Sequence, residues 1–278
     1  MAVFGGKKFV LIVSSGRTGT KALAQHLSRC YPDVCALHEP SPSWRLRMGT
    51  TRALCGRSSR EELVELLVKL RRGLVAGLER GIYVESNPYL SGFVEVFGEV
   101  FEEVRVVHVV RDPRTYVRSG VNFGAFRGMK KLAAEWWPDW FPRPQMCIEA
   151  HGLKWGDMDA IERLAWFWGL VNSQLNRGEG IYGQRYLRIR FEDLFSTDGG
   201  GLERLTDWIG LARSSVLREE ANREHVNASQ REELPEWAKW SEKDRTKVLK
   251  HCESLMKVYD YLKDDAAGIE KAVAVEAS

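Results

Sequence analysis

The segment from Phe9 to Cys30 constrains the fold more than any other part of the sequence. It begins with the apolar run FVLIV, continues through the glycine-containing stretch SSGRTGT and ends with TKALAQHLSRC. A β-branched apolar run of this length is typical of a strand buried in a parallel sheet. The final stretch places its apolar residues on or near one helical face. The segment therefore predicts a strand, a short loop and a helix in direct succession.

The rest of the chain continues this alternation. Further strands are predicted at Val34–Leu37, Gly81–Asn87, Val104–Val110 and the first part of Arg185–Phe195. Helices are predicted at Ser58–Gly81, where Ser59 and Glu62 form a capping box, at Met158–Gly178 and near the C-terminus. This order implies an α/β fold, a three-layer sandwich whose mainly parallel central sheet carries helices on both faces. We expect one domain over residues 1–265 and a frayed tail over residues 266–278.

Composition excludes several classes of protein. Of the 278 residues, 44% are apolar and 28% charged, which allows a buried core and argues against overall disorder. The 41 Lys and Arg nearly balance the 38 Asp and Glu, so the charge does not indicate a nucleic-acid partner. No apolar stretch reaches the roughly 18–20 residues of a membrane span. The N-terminal apolar run is too short for a secretory signal.

The cysteines favour a reducing compartment. There are five of them, an odd number, and no CxxC pair occurs. This pattern indicates neither a zinc site nor a disulfide framework. We therefore expect reduced thiols in a cytoplasmic protein.

The loop after the first strand is suited to binding an anion. A strand-to-helix turn points backbone N–H groups at a ligand, and the helix dipole favours negative charge there. Candidate ligand-binding residues are Ser15, Gly16, Arg17, Thr18, Gly19 and Thr20. The alternative is an ordinary tight turn with a surface arginine. The loop is not a Walker A motif, because only two residues separate its glycines and Lys21 is followed by Ala22 instead of Ser or Thr.

A second basic motif, VVRDPRTYVRSG, follows the predicted strand at Val104–Val110. Proline at a first helical turn predicts that a helix starts after Asp112. Arg111 and Ser119 would then be two turns apart and could converge on one anion. Arg114 and Arg118 add local positive charge. The alternative is a solvated basic helix face.

These motifs together resemble the PAPS-dependent sulfotransferases, where PAPS is 3′-phosphoadenosine 5′-phosphosulfate. SSGRTGT resembles their 5′-phosphosulfate loop, VVRDPRTYVRSG resembles their 3′-phosphate motif, and LRIRFEDLF is similar to a segment that follows in these enzymes. The order and spacing of the motifs agree with the family over roughly residues 8–195. The resemblance implies a P-loop-like core with a phosphate-binding strand–loop–helix.

The resemblance also implies the reaction and the donor site. Sulfuryl transfer from PAPS to an acceptor hydroxyl, or as a second choice an amine, proceeds in line without a metal and leaves PAP. The loop residues Ser15 to Thr20 would bind the 5′-phosphosulfate, and Arg111 and Ser119 would bind the 3′-phosphate. The family's usual loop lysine is replaced by Arg17, which keeps the charge but does not readily release a proton. We therefore assign Arg17 charge stabilisation only.

The catalytic base is predicted in the segment ALHEPSP. Glycan-modifying and some bacterial sulfotransferases carry a similar EP pair, whose glutamate is the base, so Glu39 is the first choice. His38 has the better unperturbed pKa. Neighbours in an extended segment point to opposite sides, which predicts that only one of them faces the acceptor. In YVESNPYL, Ser86 replaces a frequent family lysine, and Glu85 is either a second candidate base or a partner that holds Arg17.

Two aromatic stretches carry different predictions. Trp166, Phe167 and Trp168 lie on an apolar helix and are expected in the core. The Pro- and Trp-rich stretch from Trp136 to Pro144, which contains Trp137, Trp140 and Phe141, is predicted to be a loop or lid that lines the acceptor pocket. His225–Trp240 could supply a late loop that covers the nucleotide.

Two other functions remain open from the sequence. A P-loop nucleotide kinase would share the fold but needs the Walker A lysine and hydroxyl. A non-catalytic adenosine-nucleotide-binding protein would keep Arg111 and Ser119 without a working base. The acceptor is expected to be a small molecule or a glycan, and the sequence does not indicate the oligomeric state.

Overall fold

The computed structural model describes residues 2–79, 81–148, 152–196, 199–212 and 233–262. The predicted tail at 266–278 and residues 225–232 of the predicted late loop lie outside these ranges. No helix within the described ranges is long and apolar enough to cross a bilayer.

The centre of the fold is a five-stranded, wholly parallel sheet in the order β2-β3-β1-β4-β5. Its strands are β1 (Phe4–Val13), β2 (Val34–His38), β3 (Ile82–Ser86), β4 (Phe101–Val110) and β5 (Tyr186–Arg190). Each predicted strand is present, and the predicted α/β fold with a parallel central sheet is confirmed.

Helices connect successive strands. They are α1 (Thr20–Cys30), α2 (Ser43–Leu54), α3 (Arg60–Ala76), α4 (Phe97–Val100), α5 (Pro113–Asn122), α6 (Gly128–Trp136), α7 (Ala160–Tyr182), α8 (Phe191–Leu194), α9 (Gly200–Ile209) and α10 (Glu242–Val258). Short 3₁₀ segments lie at Pro88–Val96, Pro144–Met146, Trp155–Asp157, Gly183–Arg185 and Trp237–Lys239.

The sheet is buried on both faces. Along β1, Phe9, Leu11 and Val13 belong to the core on one side, whereas Val10 and Ile12 belong to the core on the other side. This alternation follows from the two-residue period of a strand, and both faces are apolar because helices cover both. Full burial of each such side chain contributes about 1.5–3 kcal/mol.

Local signals placed several helix ends correctly. The capping box at Ser59 and Glu62 is formed, with both reciprocal hydrogen bonds present. Pro113 begins α5, as its fixed φ predicts. Helix α3 ends at Ala76, earlier than the predicted Gly81, because Gly77 caps it. Helix α2 was not predicted at all.

The expectation of five reduced cysteines is wrong for one pair. Cys55, just after α2, forms a disulfide with Cys147, which is 92 residues away. Cys30, Cys35 and Cys252 form no disulfide. A pairing between positions so distant leaves no local sequence pattern, because it depends on how two loops meet in the fold.

Candidate active site

The carboxyl ends of the parallel strands bring the predicted site residues to one edge of the sheet. β1 ends directly before the glycine loop, β2 ends at His38, and β4 ends directly before Arg111. Because β1 lies between β3 and β4, the loop after β1 has loops from both neighbours beside it. The crevice outside such strand ends is where open parallel sheets bind ligands.

The backbone of the glycine loop is left-handed at three positions. The φ angles are 87° at Gly16, 55° at Arg17 and 64° at Gly19. Gly19 caps the N-terminus of α1, and no side chain within the described residues provides the cap hydrogen bond. A Cβ atom on Gly19 would come within 2.7 Å of the Phe195 ring, so a larger residue does not fit. The first N–H groups of α1 therefore lack a side-chain cap, as in anion-binding helix termini.

The hydroxyl groups of the loop have two different roles. Ser14 Oγ accepts hydrogen bonds from Gly16 N at 3.1 Å and from Thr18 Oγ1 at 2.8 Å, so Ser14 and Thr18 hold the turn together. Sequence reasoning missed Ser14. By contrast, Ser15 Oγ is buried and has no hydrogen-bond partner within the described residues. A buried unsatisfied hydroxyl is uncommon, and a bound oxyanion would satisfy it.

The two predicted anion motifs are in direct contact. Arg17 donates from Nε to Ser119 Oγ at 3.1 Å. Arg111 donates from Nη1 to the carbonyl oxygen of Arg17 at 2.8 Å. The guanidinium of Arg17 also lies 4.3 Å from the ring centroid of Phe123. Residues about a hundred positions apart in the sequence thus form one polar cluster.

Arg111 is held on three sides by other contacts. It donates from Nε to Thr115 Oγ1 at 3.0 Å and its guanidinium lies 4.5 Å from the ring centroid of Phe191. Trp168 donates from its indole N–H to the Arg111 carbonyl at 2.9 Å. Trp168 is buried, as predicted for the aromatic stretch of α7. The position of Arg111 is therefore fixed by packing before any ligand binds.

The interpretation of Arg114 as an added local charge is wrong. Arg114 is buried and pairs with Asp112 at 2.6 Å, and it also donates to the carbonyl of Tyr261. Its charge is neutralised within the fold, so it is neither a free cation nor part of a solvated basic face. Arg118 donates from Nε to the carbonyl of Leu234 at 3.4 Å.

The described part of the predicted late loop packs on α5. Leu234 donates from its backbone N to Asn122 Oδ1 at 2.8 Å, and Glu233 forms an ion pair with Arg127. Residues 233–240 therefore lie beside the helix that carries Ser119. That the loop covers the nucleotide stays a prediction.

His38 and Glu39 lie side by side at the end of β2. Glu39 has φ 45°, and its backbone N donates to the Ser86 carbonyl at 3.0 Å. His38 Nε2 is 3.6 Å from Glu39 Oε1, and His38 Nδ1 is 3.2 Å from Ser86 Oγ. The prediction that these neighbours point to opposite sides is wrong, because the left-handed turn at Glu39 ends the extended geometry on which it depended.

The surroundings shift the two pKa values in opposite directions. Burial raises the pKa of Glu39 above its usual value, although Arg47 and Lys21 act against this rise. Burial and then Lys21 lower the pKa of His38, and a hydrogen bond with the Ser86 backbone opposes this. Both shifts favour the neutral form of the side chain, because burial disfavours charge. The 3.6 Å contact between the two side chains keeps both residues as candidate bases.

Glu85 has a structural role instead of a catalytic one. It is fully buried and pairs with Arg71 through two hydrogen bonds, of 2.7 Å from Nε and 2.5 Å from Nη2. Tyr83 and Asn87 donate to the same carboxylate. The interpretation of Glu85 as a second base or as the partner of Arg17 is therefore wrong, because its oxygens are occupied inside the core.

Arg47 is a neighbour of Glu39 that sequence reasoning missed. It lies on α2 and donates from Nε to the Trp140 carbonyl at 2.7 Å and from Nη1 to Tyr89 Oη at 3.3 Å. Its guanidinium is 4.2 Å from the Trp140 ring centroid, within the range of a cation–π interaction. No local pattern could have indicated this contact, since α2 itself was not predicted.

The Pro- and Trp-rich stretch is fastened to α2 and to the core. Besides the contact between Arg47 and Trp140, Arg57 forms an ion pair with Asp139, and the disulfide joins Cys55 to Cys147. Phe141 packs on Phe126 and Phe167, so it belongs to a core cluster. The stretch thus forms a wall against α2, and its Trp140 contacts Arg47, which interacts electrostatically with Glu39.

Fold and candidate site together describe a parallel α/β protein with a candidate oxyanion-binding loop after its central strand. No family model matches the sequence, and no curated protein matches it.

Several solved structures have a similar arrangement of strands and helices. The sulfotransferase domain from the curacin biosynthetic pathway is 16% identical, with 76% of each chain covered and a TM-score of 0.49. A sulfotransferase from Alicyclobacillus acidocaldarius is 16% identical, with 79% of this chain and 91% of that chain covered and a TM-score of 0.45. A sulfotransferase from Mycobacterium avium is 12% identical, with 95% and 78% covered and a TM-score of 0.46. At such identities the likeness concerns the fold alone, so function must be argued from the site.

Proposed function

We propose that this protein is a sulfotransferase that moves the sulfuryl group of PAPS to a hydroxyl, or as a second choice an amine, of a small-molecule or glycan acceptor. The observation that carries this proposal is the contact between the two anion motifs, in which Arg17 touches both Ser119 and Arg111. Two adjoining oxyanion sites suit one nucleotide that is charged at both its 3′ and its 5′ position.

The residues of the loop fit the 5′-phosphosulfate. Ser15 offers a buried hydroxyl without a partner among the described residues, and the uncapped N-terminus of α1 offers backbone N–H groups. Leaving a buried hydroxyl unpaired costs about 1–3 kcal/mol, which an oxygen of the donor would recover. Arg17 supplies a permanent positive charge beside them. Gly16 and Gly19 let the donor approach the backbone closely.

The residues of β4 and α5 fit the 3′-phosphate. Arg111 follows the strand and is fixed by Thr115, Phe191 and Trp168, so little conformational entropy is lost when it binds. Ser119 lies two turns along α5 and already accepts from Arg17. In this proposal, Arg17 bridges the two phosphate positions.

In the proposed reaction, residues of this chain take up the proton and stabilise the charge that the transfer produces. The acceptor oxygen forms a bond to sulfur, while the bond from sulfur to the bridging oxygen of the 5′-phosphate breaks in line. The acceptor proton passes to Glu39, with His38 as the alternative. Arg17 and the loop N–H groups neutralise the charge that develops on the departing phosphate. Because these fixed donors and charges act on the leaving group, we expect transfer without a metal ion.

The acceptor is proposed to enter beside Glu39, between the ends of β2 and β3 and the wall formed by the Trp-rich stretch. Arg47 and Tyr89 lie on this side, and both interact electrostatically with Glu39. Aromatic faces such as that of Trp140 suit a ring or a sugar, which fits a small-molecule or glycan acceptor.

The test is transfer of ³⁵S from labelled PAPS to a panel of hydroxyl and amine acceptors, with and without EDTA. Label transfer that EDTA does not affect supports the proposal. ATP turnover that EDTA abolishes would contradict it and favour a nucleotide kinase. Tight binding of PAP with no transfer to any acceptor would favour a non-catalytic nucleotide-binding protein.

A further inference from the structure

Helix α6 exposes a row of apolar side chains to solvent. Met129, Leu132 and Trp136 are spaced by three and four residues, which places them on one face of the helix. Their exposed fractions are 79%, 49% and 79%, and Trp137 directly after the helix is 57% exposed. We call these four residues the α6 face. Large apolar side chains that adjoin one another on a surface mark an interaction site more often than scattered ones do.

The opposite side of α6 already supplies its contact with the core. Ala134 is buried in a cluster with Trp155, Met158 and Trp166. The α6 face therefore is not needed to hold the helix on the protein. Its apolar residues are turned away from the core, which inverts the usual pattern of a surface helix.

Basic residues flank this face. Lys130 and Lys131 lie within the helix, and Arg127, which forms an ion pair with Glu233, directly precedes it. Lys130 donates to the Phe123 carbonyl and lies over the Phe123 ring, so its contacts within the described residues leave its charge unneutralised. Lys131 is 4.0 Å from Glu135, and such exposed pairs are weak. Aromatic and aliphatic residues beside lysines are the composition of helices that lie in a bilayer interface.

The α6 face lies beside the candidate active site. Before the helix, Phe123 contacts Arg17 of the glycine loop. After the helix, Trp137 stacks near Trp140, which contacts Arg47 beside Glu39. A surface that contacts the α6 face would therefore approach the site where the acceptor is proposed to enter.

We propose that the α6 face docks on an anionic lipid bilayer, with Trp136, Trp137, Leu132 and Met129 in the interface and the flanking lysines on the headgroups. The basic flank favours an anionic surface over a second copy of this chain, because a symmetric self-contact would bring the same cations together. The docking itself does not depend on the reaction. One consequence does rest on the proposed function: the acceptor is then an amphiphile whose hydroxyl is presented at the lipid surface.

The test is co-sedimentation of the full chain with vesicles, in the absence of any nucleotide. Vesicles of phosphatidylcholine alone are compared with vesicles of phosphatidylcholine mixed with anionic phosphatidylglycerol. We expect binding to the mixed vesicles at low salt and a blue shift of tryptophan emission on binding. Leu132→Glu should weaken binding by at least about tenfold, because it places a charge where apolar surface would be buried.

Matched variants control for general effects of charge and folding. Ile181→Glu alters a residue on α7 that is 47% exposed, close to the 49% of Leu132, and should leave vesicle binding unchanged. Lys131→Gln should weaken binding about fivefold. Lys257→Gln on α10 is its control, because Lys257 lies four residues from its partner Glu253, as Lys131 does from Glu135. Lys257→Gln should leave vesicle binding unchanged.

Three results would overturn the proposal. The first is no binding to anionic vesicles, and the second is an equal loss of binding in Leu132→Glu and Ile181→Glu. The third is self-association in sedimentation velocity that Leu132→Glu abolishes while vesicles have no effect, which would make the face a contact between copies. Vesicle binding and self-association are measured without sulfuryl transfer, so the test remains valid if the proposed function is wrong.

Discussion

The donor side and the acceptor side of the candidate site are built in different ways. On the donor side, Arg17, Arg111 and Ser119 come from two short motifs, and each motif is set by the end of one central strand and the start of one helix. On the acceptor side, Arg47, Tyr89 and Trp140 come from a helix, a 3₁₀ segment and a loop that meet only through tertiary contacts. The proposed donor site thus depends on local backbone geometry, whereas the environment of the candidate base depends on long-range packing.

This difference implies that changes on the two sides should affect different measurements. Loss of a donor-side contact should lower nucleotide affinity, since the proposed function assigns those groups to the phosphates. Loss of an acceptor-side contact should alter turnover or its pH dependence, with nucleotide affinity unchanged. The predictions below begin with the largest effect, and those on Glu39, Arg111 and Arg47 test this separation.

Glu39→Gln should reduce turnover by about 10²–10⁴-fold, because the variant keeps the shape of the side chain but cannot accept the acceptor proton. PAP affinity should remain that of the unaltered protein. Turnover is measured with ³⁵S-labelled PAPS, and affinity by calorimetry. Full activity in Glu39→Gln combined with loss of activity in His38→Asn would move the base to His38.

Arg71→Met should lower the free energy of unfolding by about 3–5 kcal/mol, since it leaves the buried carboxylate of Glu85 without its counter-ion. Urea unfolding followed by circular dichroism measures this loss. Adding Glu85→Gln to the variant should recover a substantial part of the stability. An unchanged unfolding midpoint in Arg71→Met would mean that Glu85 is not held by this pair, and it would return Glu85 to the candidate bases.

Arg111→Ala should weaken PAP binding by about 1.5–3 kcal/mol, the contribution of a hydrogen bond to a charged group. Arg105→Ala is the matched control, because Arg105 lies on β4, the strand that Arg111 follows, and donates to the Trp208 carbonyl away from the glycine loop. Calorimetry with PAP should show the loss in Arg111→Ala alone. Equal affinities in the two variants would contradict the 3′-phosphate assignment.

The same contrast explains how much the sequence could predict. The strand–loop–helix, the start of α5 at Pro113 and the separation of Arg111 from Ser119 are local patterns, and each is present in the structure. Their convergence follows from the adjacency of β1 and β4, which a parallel sheet favours. The donor side was therefore predictable in outline, although the role of Ser14 within the turn was not.

The acceptor side could not be predicted from the sequence, because its residues are brought together only by tertiary contacts. Helix α2 contains Gly49, Thr50 and Thr51, which are poor helix formers, so its sequence does not predict a helix. Arg71 lies in a helix rich in charged residues and resembles a surface arginine, yet it is fully buried against Glu85. The left-handed Glu39 likewise has no local signature, and its turn brings His38 and Glu39 together.

A shift in the pH dependence of kcat is the smallest of the expected effects, and it distinguishes Glu39 from His38 as the base. The base must be deprotonated, so activity should fall as pH drops through its pKa. Arg47 acts to lower the pKa of Glu39 but is not among the groups that shift the pKa of His38, whereas Lys21 lowers both. Arg47→Gln should therefore raise the pKa of Glu39 further and move the acid limb of the kcat profile to higher pH if Glu39 is the base. If His38 is the base, Arg47→Gln should leave that limb in place. Lys21→Gln should move the limb upward in either case, so it shows that the assay can detect such a shift.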